Sequence, residues 1–411
     1  MNGYQVIDVS NPANCVRVGG YDTSGNAVRV AVLGNYACLA DGYEGLQVID
    51  VSNPTNCIRV GGYQIGGFAK GVAMSGNYAY VADFYAGLQV IDVSNPTNCL
   101  RVGGYNTSGY AFAVAASGNF AYLADDDAGL QVIDVRNPTN FVRVGGYNTS
   151  GSAQGVTVLG NYAYVADGDA GLQVIDVSNP PNCWRVGGFD TSGSASDVAV
   201  LGNYAYVADG VAGLQVIDVS NPTNCVRVGG YDTSGLAFGV AVSGNYAYVA
   251  DGLSLQVIDV SNPTNCVRVG GYNSEGPTER VAVSGHYAYV ANGDVGLLVI
   301  DVSNPTNCLR VGGYNTSGLA RGVAVVAGRI YVADAEAGLL VLPTLPNVQF
   351  TVRVDATPGV PFTLEAATNL NAPIPWTPLL TTNIPAMPFD YVDFDVKLTN
   401  KPQKYYRVRQ P

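Results

Sequence analysis

The sequence predicts an all-β fold assembled from a tandem repeat, and three observations lead to this prediction. The stretch Gly45–Pro54 keeps returning, and its aspartate recurs every 42 residues except at one step, which is 41. Val, Ile, Tyr and Thr dominate between Gly, Asn and Pro, a composition typical of short strands and tight turns. A fixed period near 40 residues built from short strands indicates a propeller or another repeat array. The repeated aspartates are Asp8, Asp50, Asp92, Asp134, Asp176, Asp218, Asp259 and Asp301.

Each repeat contains four predicted strands. Between Ala69 and Tyr105, turn residues such as Gly76 and Asn77 separate the stretches Lys70–Ser75, Tyr78–Ala82, Leu88–Val93 and Cys99–Tyr105. Four antiparallel strands per period match one blade of a β-propeller, with the first strand innermost and the fourth outermost.

The strand count predicts an eight-bladed β-propeller over residues 1–345, closed by the N- and C-terminal strands. The inner pair and the outer strand each occur eight times, whereas the third strand occurs nine times, because Gly338–Leu342 is a degraded copy. The last blade is therefore expected to combine C-terminal inner strands with the outer strand Val16–Tyr21, which covers an open sheet edge. Either Gln5–Val9 or Leu339–Leu342 is left to supply its third strand.

Residues 346–411 lose the period and predict a small second domain. Five short strands separated by Pro and Asn are expected there. They are Phe350–Val354, Phe362–Ala366, Trp376–Leu380, Phe389–Phe394 and Tyr405–Arg409.

Charge and composition exclude several function classes. The net charge is −12, the wrong sign for binding nucleic acid or an anionic membrane. No apolar run reaches the length of a membrane span. The chain begins inside a repeat without a signal sequence, so it is either cytoplasmic or a piece of a longer secreted chain, and the start in mid-motif favours the second.

Catalysis, metals and cofactors are not expected. His286 is the only histidine and no Cys-x-x-Cys occurs, so neither a catalytic triad nor a zinc site can be assembled. A pair of carboxylates is the one enzymatic arrangement left open. The aspartate that ends each second strand, such as Asp125, is expected to cap a turn. Calcium is the less favoured alternative, because no complete Asp-x-Asp-x-Asp-Gly loop is present.

Two further repeated positions are interpreted as structural. Regular pairing across the Asn53–Asn56 turn would place Asp50 opposite Arg59, which predicts an ion pair in every repeat. Seven of the eight cysteines share one position, and Phe141 occupies it in the remaining repeat. Neighbouring blades lie about 10 Å apart, too far for a disulfide, so free thiols acting as small apolar side chains are expected.

The repeats differ from each other mainly in two loops, which should lie on one face of the blades. One loop precedes the inner strand, and the other joins the second and third strands. The first varies at Asn26, Val28, Arg29, Phe68, Lys70, Tyr110, Phe112, Gln154, Ser196, Asp197, Leu236, Phe238, Glu279, Arg280, Leu319 and Arg321. The second varies at Tyr43, Glu44, Phe84, Tyr85, Asp126, Asp127, Asp169, Val211, Leu253, Asp294 and Glu336.

This variable face is the predicted binding surface, because aromatic side chains from consecutive blades can meet there. Unconstrained drift of loop residues is the alternative. The predicted binding residues are Tyr43, Phe68, Lys70, Phe84, Tyr85, Tyr110, Phe112, Asp126, Asp127, Phe238, Arg280 and Arg321.

The motif Leu297–Val302 and its Gln-containing copies resemble the LVIVD-repeat family of propellers, and more loosely the YVTN-type surface propellers. The resemblance implies a bacterial, secreted or surface-associated propeller without assigned catalytic residues. The tail, with Leu364-Glu-Ala366 and a final Tyr406–Arg409, is similar to small β-sandwich modules that follow repeats in surface proteins of environmental bacteria. That similarity implies a spacer or anchoring role.

Two functions of different classes therefore remain. The chain is either a non-catalytic scaffold that binds a protein or glycan through the variable face, or a structural, self-assembling module of a cell envelope or matrix.

Overall fold

The structure of the protein is a computed structural model. The structure describes residues 21, 23–52, 57–137, 140–314, 319–326, 329–334 and 338–343, together with five strands between 350 and 409. The predicted strands Gln5–Val9 and Val16–Tyr21 lie outside the described residues, apart from Tyr21.

The repeats form antiparallel sheets, named sheet 1 to sheet 8 in chain order. Sheets 1 to 4 are four-stranded. Sheet 1 holds β1 (Arg29–Leu33), β2 (Tyr36–Ala40), β3 (Leu46–Asp50) and β4 (Ile58–Tyr63). Sheet 2 holds β5 (Ala69–Ser75), β6 (Tyr78–Asp83), β7 (Gly87–Asp92) and β8 (Leu100–Tyr105). Sheet 3 holds β9 (Ala113–Ser117), β10 (Phe120–Ala124), β11 (Leu130–Asp134) and β12 (Val142–Tyr147). Sheet 4 holds β13 (Gly155–Leu159), β14 (Tyr162–Ala166), β15 (Leu172–Asp176) and β16 (Trp184–Phe189).

The later sheets follow the same plan. Sheet 5 holds β17 (Asp197–Leu201), β18 (Tyr204–Ala208), β19 (Leu214–Asp218) and β20 (Val226–Tyr231). Sheet 6 holds β21 (Ala237–Ser243), β22 (Tyr246–Asp259) and β23 (Val267–Thr278). Sheet 7 holds β24 (Arg280–Ser284), β25 (Tyr287–Ala291), β26 (Leu297–Asp301) and β27 (Leu309–Tyr314). Sheet 8 holds β28 (Ala320–Val326), β29 (Arg329–Asp334) and β30 (Gly338–Pro343). In sheet 6 the second and third strands run together as β22, because this repeat is one residue shorter.

The strand order confirms the prediction of hairpin-linked sheets. In sheet 4, β13 pairs with β14, β14 with β15 and β15 with β16, all antiparallel. Among the described Asn-Pro turns, three are short 3-10 helices, at Pro96–Asn98, Pro180–Asn182 and Pro305–Asn307. No α-helix occurs in the part of the chain that the structure describes.

Both faces of each sheet are buried against a neighbour, which explains the apolar second strand. In β18, Ala205 and Val207 pack into a core with Leu172 and Val174 of sheet 4. Tyr206 and Ala208 belong to the next core, which they share with residues of sheet 6. A strand buried on both faces reads as a continuous apolar run, as seen in all eight copies.

The Gly-Gly pair of each outer strand follows from close packing and from a bulge. A Cβ atom at Gly187 would lie 2.0 Å from the Pro222 carbonyl oxygen of the next sheet, so no side chain fits. Gly188 has φ 143°, a conformation that side chains rarely adopt. The register of β15 with β16 shifts between Val174 and Ile175 at the same place.

In the repeats that the structure describes, the predicted Asp–Arg ion pairs are wrong, and the register explains why. Asp50 lies opposite Ile58, and Arg59 lies opposite Ile49, a slip of one residue that turns the arginine to the other side of the sheet. The arginine Nε donates instead to the glutamine of the repeated motif, as between Arg101 and Gln89 at 2.6 Å. The same bond joins Arg59–Gln47, Arg143–Gln131, Arg185–Gln173, Arg227–Gln215 and Arg268–Gln256.

The repeated aspartate has a different role from the predicted one. Asp176 Oδ1 accepts a hydrogen bond of 2.8 Å from the backbone N–H of Ser178, which opens the Ser-Asn-Pro turn. Asp218 and Ser220 form the same bond at 2.8 Å. Within the motif, the glutamine therefore bonds to the outer strand, whereas the aspartate stabilises the turn between the third and fourth strands.

The cysteines are free thiols, as predicted. Cys38 and Cys57 are buried in cores, and Cys99, Cys183, Cys225, Cys266 and Cys308 lie directly after the Asn-Pro turn. Each of the latter thiols donates to the carbonyl of the preceding proline, as from Cys99 Sγ to Pro96 O at 3.2 Å. Burial raises the pKa of each of these five thiols, and it raises the pKa of Cys38 to about 12. Cys15 lies outside the described residues.

Sheet 8 packs against sheet 1. Tyr331 and Ala333 of β29 share a core with Ala27 and Leu39, and Tyr21 packs against the same core. A Cβ atom at Gly322 would lie 2.8 Å from the carbonyl oxygen of Val28. The third strand of sheet 8 comes from the C-terminal copy, because β30 pairs with β29 along its whole length.

Five further strands form a second compact unit. They are β31 (Phe350–Val354), β32 (Pro361–Ala367), β33 (Thr377–Asn383), β34 (Phe389–Asp393) and β35 (Tyr405–Arg409). β31 pairs with β34, and β32 lies between β33 and β35. The strand positions follow the sequence prediction closely. The proposed boundary after residue 345 lies outside the described residues.

Candidate binding face

The two variable loops meet at one end of the sheets. The second-to-third loop of sheet 1 pairs with the loop before the inner strand of sheet 2, through Ala69 N–H to Gly42 O at 2.9 Å and Gly42 N–H to Ala69 O at 3.3 Å. The same bridge joins Asp126 to Ala153, Gly168 to Ala195, Gly210 to Ala237 and Gly293 to Ala320. Loops of adjacent sheets thus form a continuous surface, which we call the variable face.

A buried aspartate holds these loops in most repeats. Asp125 Oδ1 accepts a hydrogen bond of 2.6 Å from Thr107 Oγ1, and its Oδ2 accepts one of 3.2 Å from the N–H of Gly109. Asp41, Asp167, Asp209 and Asp251 accept a bond from the equivalent threonine. These bonds confirm the predicted capping role. Burial raises the pKa of each carboxyl, to about 7 for Asp41, and the hydrogen bonds oppose this shift.

Sheet 2 departs from this arrangement because Ile65 occupies the threonine position. Asp83 Oδ1 accepts hydrogen bonds from the N–H groups of Phe68 at 2.8 Å and Tyr85 at 3.3 Å. Asp83 is fully buried. The aspartate of this repeat therefore fixes the backbone of two aromatic residues on the variable face.

Six aromatic residues of sheets 1 to 3 come together into what we call the aromatic cluster. They are Tyr43, Phe68, Phe84, Tyr85, Tyr110 and Phe112. Phe84 lies at the centre, with its ring stacked on Tyr110 at 4.6 Å and edge-on to Phe112 at 5.1 Å. Tyr85 contacts Phe84 at 5.0 Å, and a hydrogen bond with Tyr43 raises the pKa of Tyr85.

The rings of the aromatic cluster pack against each other, and part of their surface faces solvent. The tyrosines face solvent, with 63% of Tyr43, 58% of Tyr85 and 48% of Tyr110 accessible, whereas the phenylalanines are half-buried beneath them. Each edge-on or offset aromatic pair contributes about 0.5–1.5 kcal/mol beyond its buried area. The rings therefore present a preformed apolar surface with hydroxyl groups at its edge.

Lys70 joins the aromatic cluster to a group of charged side chains. Its Nζ lies 5.5 Å from the Phe112 ring centre and 5.8 Å from that of Phe84, within the range of a cation–π contact. Burial lowers the pKa of Lys70, and Arg29 and Arg321 lower it further.

The inner strands bring six charged side chains together, which we call the inner charge cluster. They are Arg29, Lys70, Asp197, Glu279, Arg280 and Arg321. Arg29, Asp197 and Arg280 occupy one repeat position, where the other sheets have only Gly or Ala. The inner strands pack closely at this position in sheets 6 and 8, since a Cβ at Gly239 would lie 2.8 Å from Glu279 O and one at Gly322 would lie 2.8 Å from Val28 O.

Two of the predicted binding residues lie apart from both clusters. Asp126 accepts a hydrogen bond from Ser152 and has φ 51°. Asp127 lines a separate cavity of 490 Å³ with Tyr105 and Arg143, among other residues. Phe238 lies beside Arg280, whose Nη1 donates to its carbonyl oxygen.

The structure therefore brings seven of the twelve predicted residues into or against the aromatic cluster, and places Arg280 and Arg321 with Lys70 in the inner charge cluster. Arg29, Asp197 and Glu279 belong to that second cluster but are absent from the predicted set. The sequence did mark them, since each is a charged residue at a variable position at, or directly before, the start of an inner strand.

Comparison with known proteins gives a family and a fold. The sequence model of the LVIVD repeat matches nine segments, at residues 1–23, 24–64, 66–107, 108–149, 150–191, 192–233, 234–274, 275–316 and 317–347. No curated protein matches the chain.

Several solved structures are similar in fold. BamB from Moraxella catarrhalis is 15% identical, with a TM-score of 0.58, over 78% of this chain and 95% of that one. Sqt1 from Chaetomium thermophilum, bound to the N-terminus of the ribosomal protein L10, is 15% identical with a TM-score of 0.62, over 78% and 97% of the two chains. The computationally designed Ika8 protein is 12% identical with a TM-score of 0.64, over 78% and 97%. At these identities the similarity establishes the β-propeller fold alone. Among the described residues, no helix has the length and apolar character needed to cross a bilayer.

Proposed function

The chain belongs to the LVIVD repeat family, and we propose that it is a non-catalytic propeller scaffold that binds a protein partner through the aromatic cluster of its variable face. The observation that carries this proposal is the cluster itself. Contiguous exposed aromatic surface tends to mark recognition sites, and tyrosine is enriched among the residues that dominate binding energy at interfaces.

The contrast among repeats supports a selected surface over random drift. At the positions of Phe84 and Tyr85, the corresponding residues in sheets 4 and 5 are Gly168 and Asp169, and Gly210 and Val211. The aromatic substitutions are concentrated in three consecutive sheets and contact each other across sheet boundaries. Independent drift of loop residues has no reason to produce such mutual packing.

A protein partner suits this surface because the cluster is rigid, apolar and flanked by a cation. Tyrosine rings supply large contact areas at a low cost in conformational entropy. Lys70 lies against Phe84 and Phe112 and offers charge complementarity to an acidic side chain of a partner. A glycan that stacks on the tyrosine rings is the competing ligand, and the experiment below includes it.

We also propose that the eight sheets close into an eight-bladed ring. The contacts of Gly322 with Val28, and of Tyr331 with Ala27 and Leu39, support closure between the last sheet and the first. Strands that complete a ring leave fewer open edges for unwanted pairing. The outer strand of sheet 8 is proposed to come from residues 16–21.

The remaining proposals concern location and the tail. From the family resemblance, we propose an extracellular or cell-surface location, with residues 346–411 forming a β-sandwich-like spacer or anchor. Cell fractionation with an antibody to the chain tests the location. Recovery only in the cytoplasmic fraction would contradict it.

The binding experiment compares two variants that remove the same kind of surface. The first, Tyr85→Ser with Tyr110→Ser, removes two exposed rings of the aromatic cluster. The control, Trp184→Ser, removes a ring that is 54% exposed on an outer strand, away from the variable face. Purified proteins are used to capture partners from cell extract and culture fluid of the source organism, and are applied to a glycan array.

We expect wild type and Trp184→Ser to capture the same protein, and the double tyrosine variant to lose it. Equal capture by all three proteins would contradict the proposal, and loss of a glycan signal alone would establish the competing ligand. Light scattering addresses the self-assembling alternative. Concentration-dependent oligomers that dissociate only in the tyrosine variant would favour that alternative.

A further inference from the structure

The inner charge cluster carries a surplus of positive charge inside an acidic protein. Its four cations face two carboxylates, whereas the whole chain has a net charge of −12. The cations come from the inner strands, or the residues just before them, in sheets 1, 2, 7 and 8. Asp197 comes from sheet 5 and influences Arg29 of sheet 1, so these side chains converge from opposite directions.

One of the two carboxylates already has partners. Arg280 extends across Gly239 of sheet 6, and its Nη1 lies 3.8 Å from Asp197 Oδ2. The same Oδ2 accepts a hydrogen bond of 3.2 Å from the N–H of Val240. Asp197 and Arg280 therefore form a pair anchored on sheet 6, which leaves Glu279 to balance Arg29, Lys70 and Arg321.

Arg321 provides the second, independent observation. Its Nε atom is buried and has no hydrogen-bond acceptor among the described residues. A buried donor of a charged group without an acceptor is more destabilising than an unpaired neutral donor, because more hydration is lost. Native proteins seldom leave such a group unpaired unless water or an ion completes it.

The pKa values of the neighbouring cations also indicate that the cluster lacks negative charge. Burial, followed by the charge of Arg280, lowers the pKa of Arg29 to about 9, and the nearby carboxylates only partly oppose this shift. Like charges held together in partial burial disfavour their own charged forms. The cluster is therefore destabilised in the absence of an anion, and an anion would relieve it.

We propose that the inner charge cluster binds an oxyanion, with Arg29 and Arg321 as the principal ligands and Lys70 as an additional cation. Guanidinium groups suit this task because their planar N–H donors match the geometry of carboxylate, sulfate and phosphate oxygens. The anion is either a free ion or a carboxylate of a bound partner, since Lys70 also touches the aromatic cluster. The inference concerns the inner strands and does not depend on the proposed function of that cluster.

The test measures the affinity of the full chain for inorganic phosphate, sulfate and acetate by calorimetry and by thermal unfolding. Ionic strength is held constant with sodium chloride. We expect saturable binding of at least one oxyanion and a rise in Tm that chloride does not reproduce. Preference for phosphate or sulfate would indicate a free ion, and preference for acetate would indicate a carboxylate of a partner.

The variants are Arg321→Gln and Arg29→Gln, with Arg136→Gln as a control for net charge. Arg136 is exposed and pairs with Asp134 in the turn after β11, away from the inner strands. We expect a dissociation constant at least tenfold higher for the two cluster variants, and an unchanged one for Arg136→Gln and for the double tyrosine variant.

A second readout separates a binding role from a purely structural one. Without oxyanion, Arg321→Gln is expected to have a Tm equal to or above that of the wild type, because a surplus charge and an unpaired donor are removed. A lower Tm without oxyanion, or equal anion affinity of wild type and Arg321→Gln, would overturn the proposal. So would the absence of any oxyanion-specific shift in the wild type.

Discussion

Replacing Thr191 with valine tests the buried aspartates that hold the variable face. Thr191 Oγ1 donates to Asp209 Oδ1 at 2.5 Å, and Asp209 Oδ2 accepts a bond of 3.1 Å from the N–H of Gly193. Asp209 is fully buried and Thr191 is 7% exposed, so water cannot replace the lost donor. A hydrogen bond to a charged group contributes about 1.5–3 kcal/mol. The methyl group that replaces the hydroxyl stabilises the folded state by up to about 0.8 kcal/mol, because it is buried. The net loss in free energy of unfolding is therefore about 1–2 kcal/mol.

The loss should depend on pH in a defined direction. Burial raises the pKa of Asp209, so the folded state favours the protonated carboxyl. This preference stabilises the protein fully at a pH below the pKa of Asp209 in the unfolded chain, and the stabilisation is lost as the pH rises through the pKa in the folded protein. Thr191 opposes this shift by stabilising the carboxylate. We therefore expect Thr191→Val to raise the pKa of Asp209 further, with a larger loss of stability at pH 8 than near pH 4.

Urea denaturation followed by circular dichroism measures this loss at both pH values. The matched control is Thr223→Val in the same repeat, because Thr223 Oγ1 donates to Asn221 Oδ1 at 2.9 Å in an exposed turn. Its loss should stay below about 0.5 kcal/mol, as is usual for surface substitutions. Equal losses for the two variants, or a larger loss for Thr191→Val at the lower pH, would show that Thr191 does not stabilise the Asp209 carboxylate.

Three further predictions follow from the described contacts. A double-mutant cycle on Gln173 and Arg185 should give a coupling energy of about 1 kcal/mol, because the two side chains share a hydrogen bond. A cycle on Asp176 and Arg185 should give no coupling, because the register places them on opposite sides of the sheet. Coupling between Asp176 and Arg185 alone would instead support the ion pair that a regular register predicts. Asp41→Asn should reduce the loss of stability between pH 5 and pH 8, because the pKa of Asp41 is raised to about 7 and the native state prefers its protonated form; an unchanged pH profile in denaturation would contradict this. Cys38, whose pKa is raised to about 12, should resist alkylation at pH 8 until denaturant is added, as mass spectrometry of labelled peptides would show, and rapid native labelling would argue against its burial.

Much of the fold follows from local sequence. The Gly-Asn hairpins, the Asn-Pro turns and the apolar second strands recur at fixed spacing, so the four strands of each repeat could be placed without the structure. The same spacing places both variable loops at one end of the sheets. The contact of Tyr110 with Phe84 could therefore be anticipated from residues 26 positions apart.

The error in register arose from a non-local cause. The bulge at Val174 and Ile175 accompanies the Gly187-Gly188 pair, and Gly187 is required because Pro222 of the next sheet approaches its backbone. The sequence of a single repeat contains no information about the proline of the next sheet. The recurring glutamine was nevertheless visible, and its absence at Leu298 coincides with a changed partner, since Arg310 Nε donates to Gly312 O at 3.3 Å.

The inner charge cluster was harder to anticipate because its members are far apart in the chain. Arg29 and Arg321 come from sheets 1 and 8, and both act on the charge of Lys70 because those two sheets pack together. Sequence variation indicated that each of these positions differs between repeats, but not that their side chains lie close together. The surplus charge and the unpaired Nε of Arg321 depend on the three-dimensional packing of the inner strands.

Site-specific photo-crosslinking tests directly whether the variable face binds a protein partner. A photoreactive phenylalanine analogue replaces Tyr85 in one protein and Trp184 in another, and both are illuminated in the presence of captured partner. Tyr85 and Trp184 have similar exposure, at 58% and 54%. We expect a cross-linked protein from position 85 and none from position 184. Cross-linking from position 184 alone, or equally from both positions, would contradict binding through the variable face.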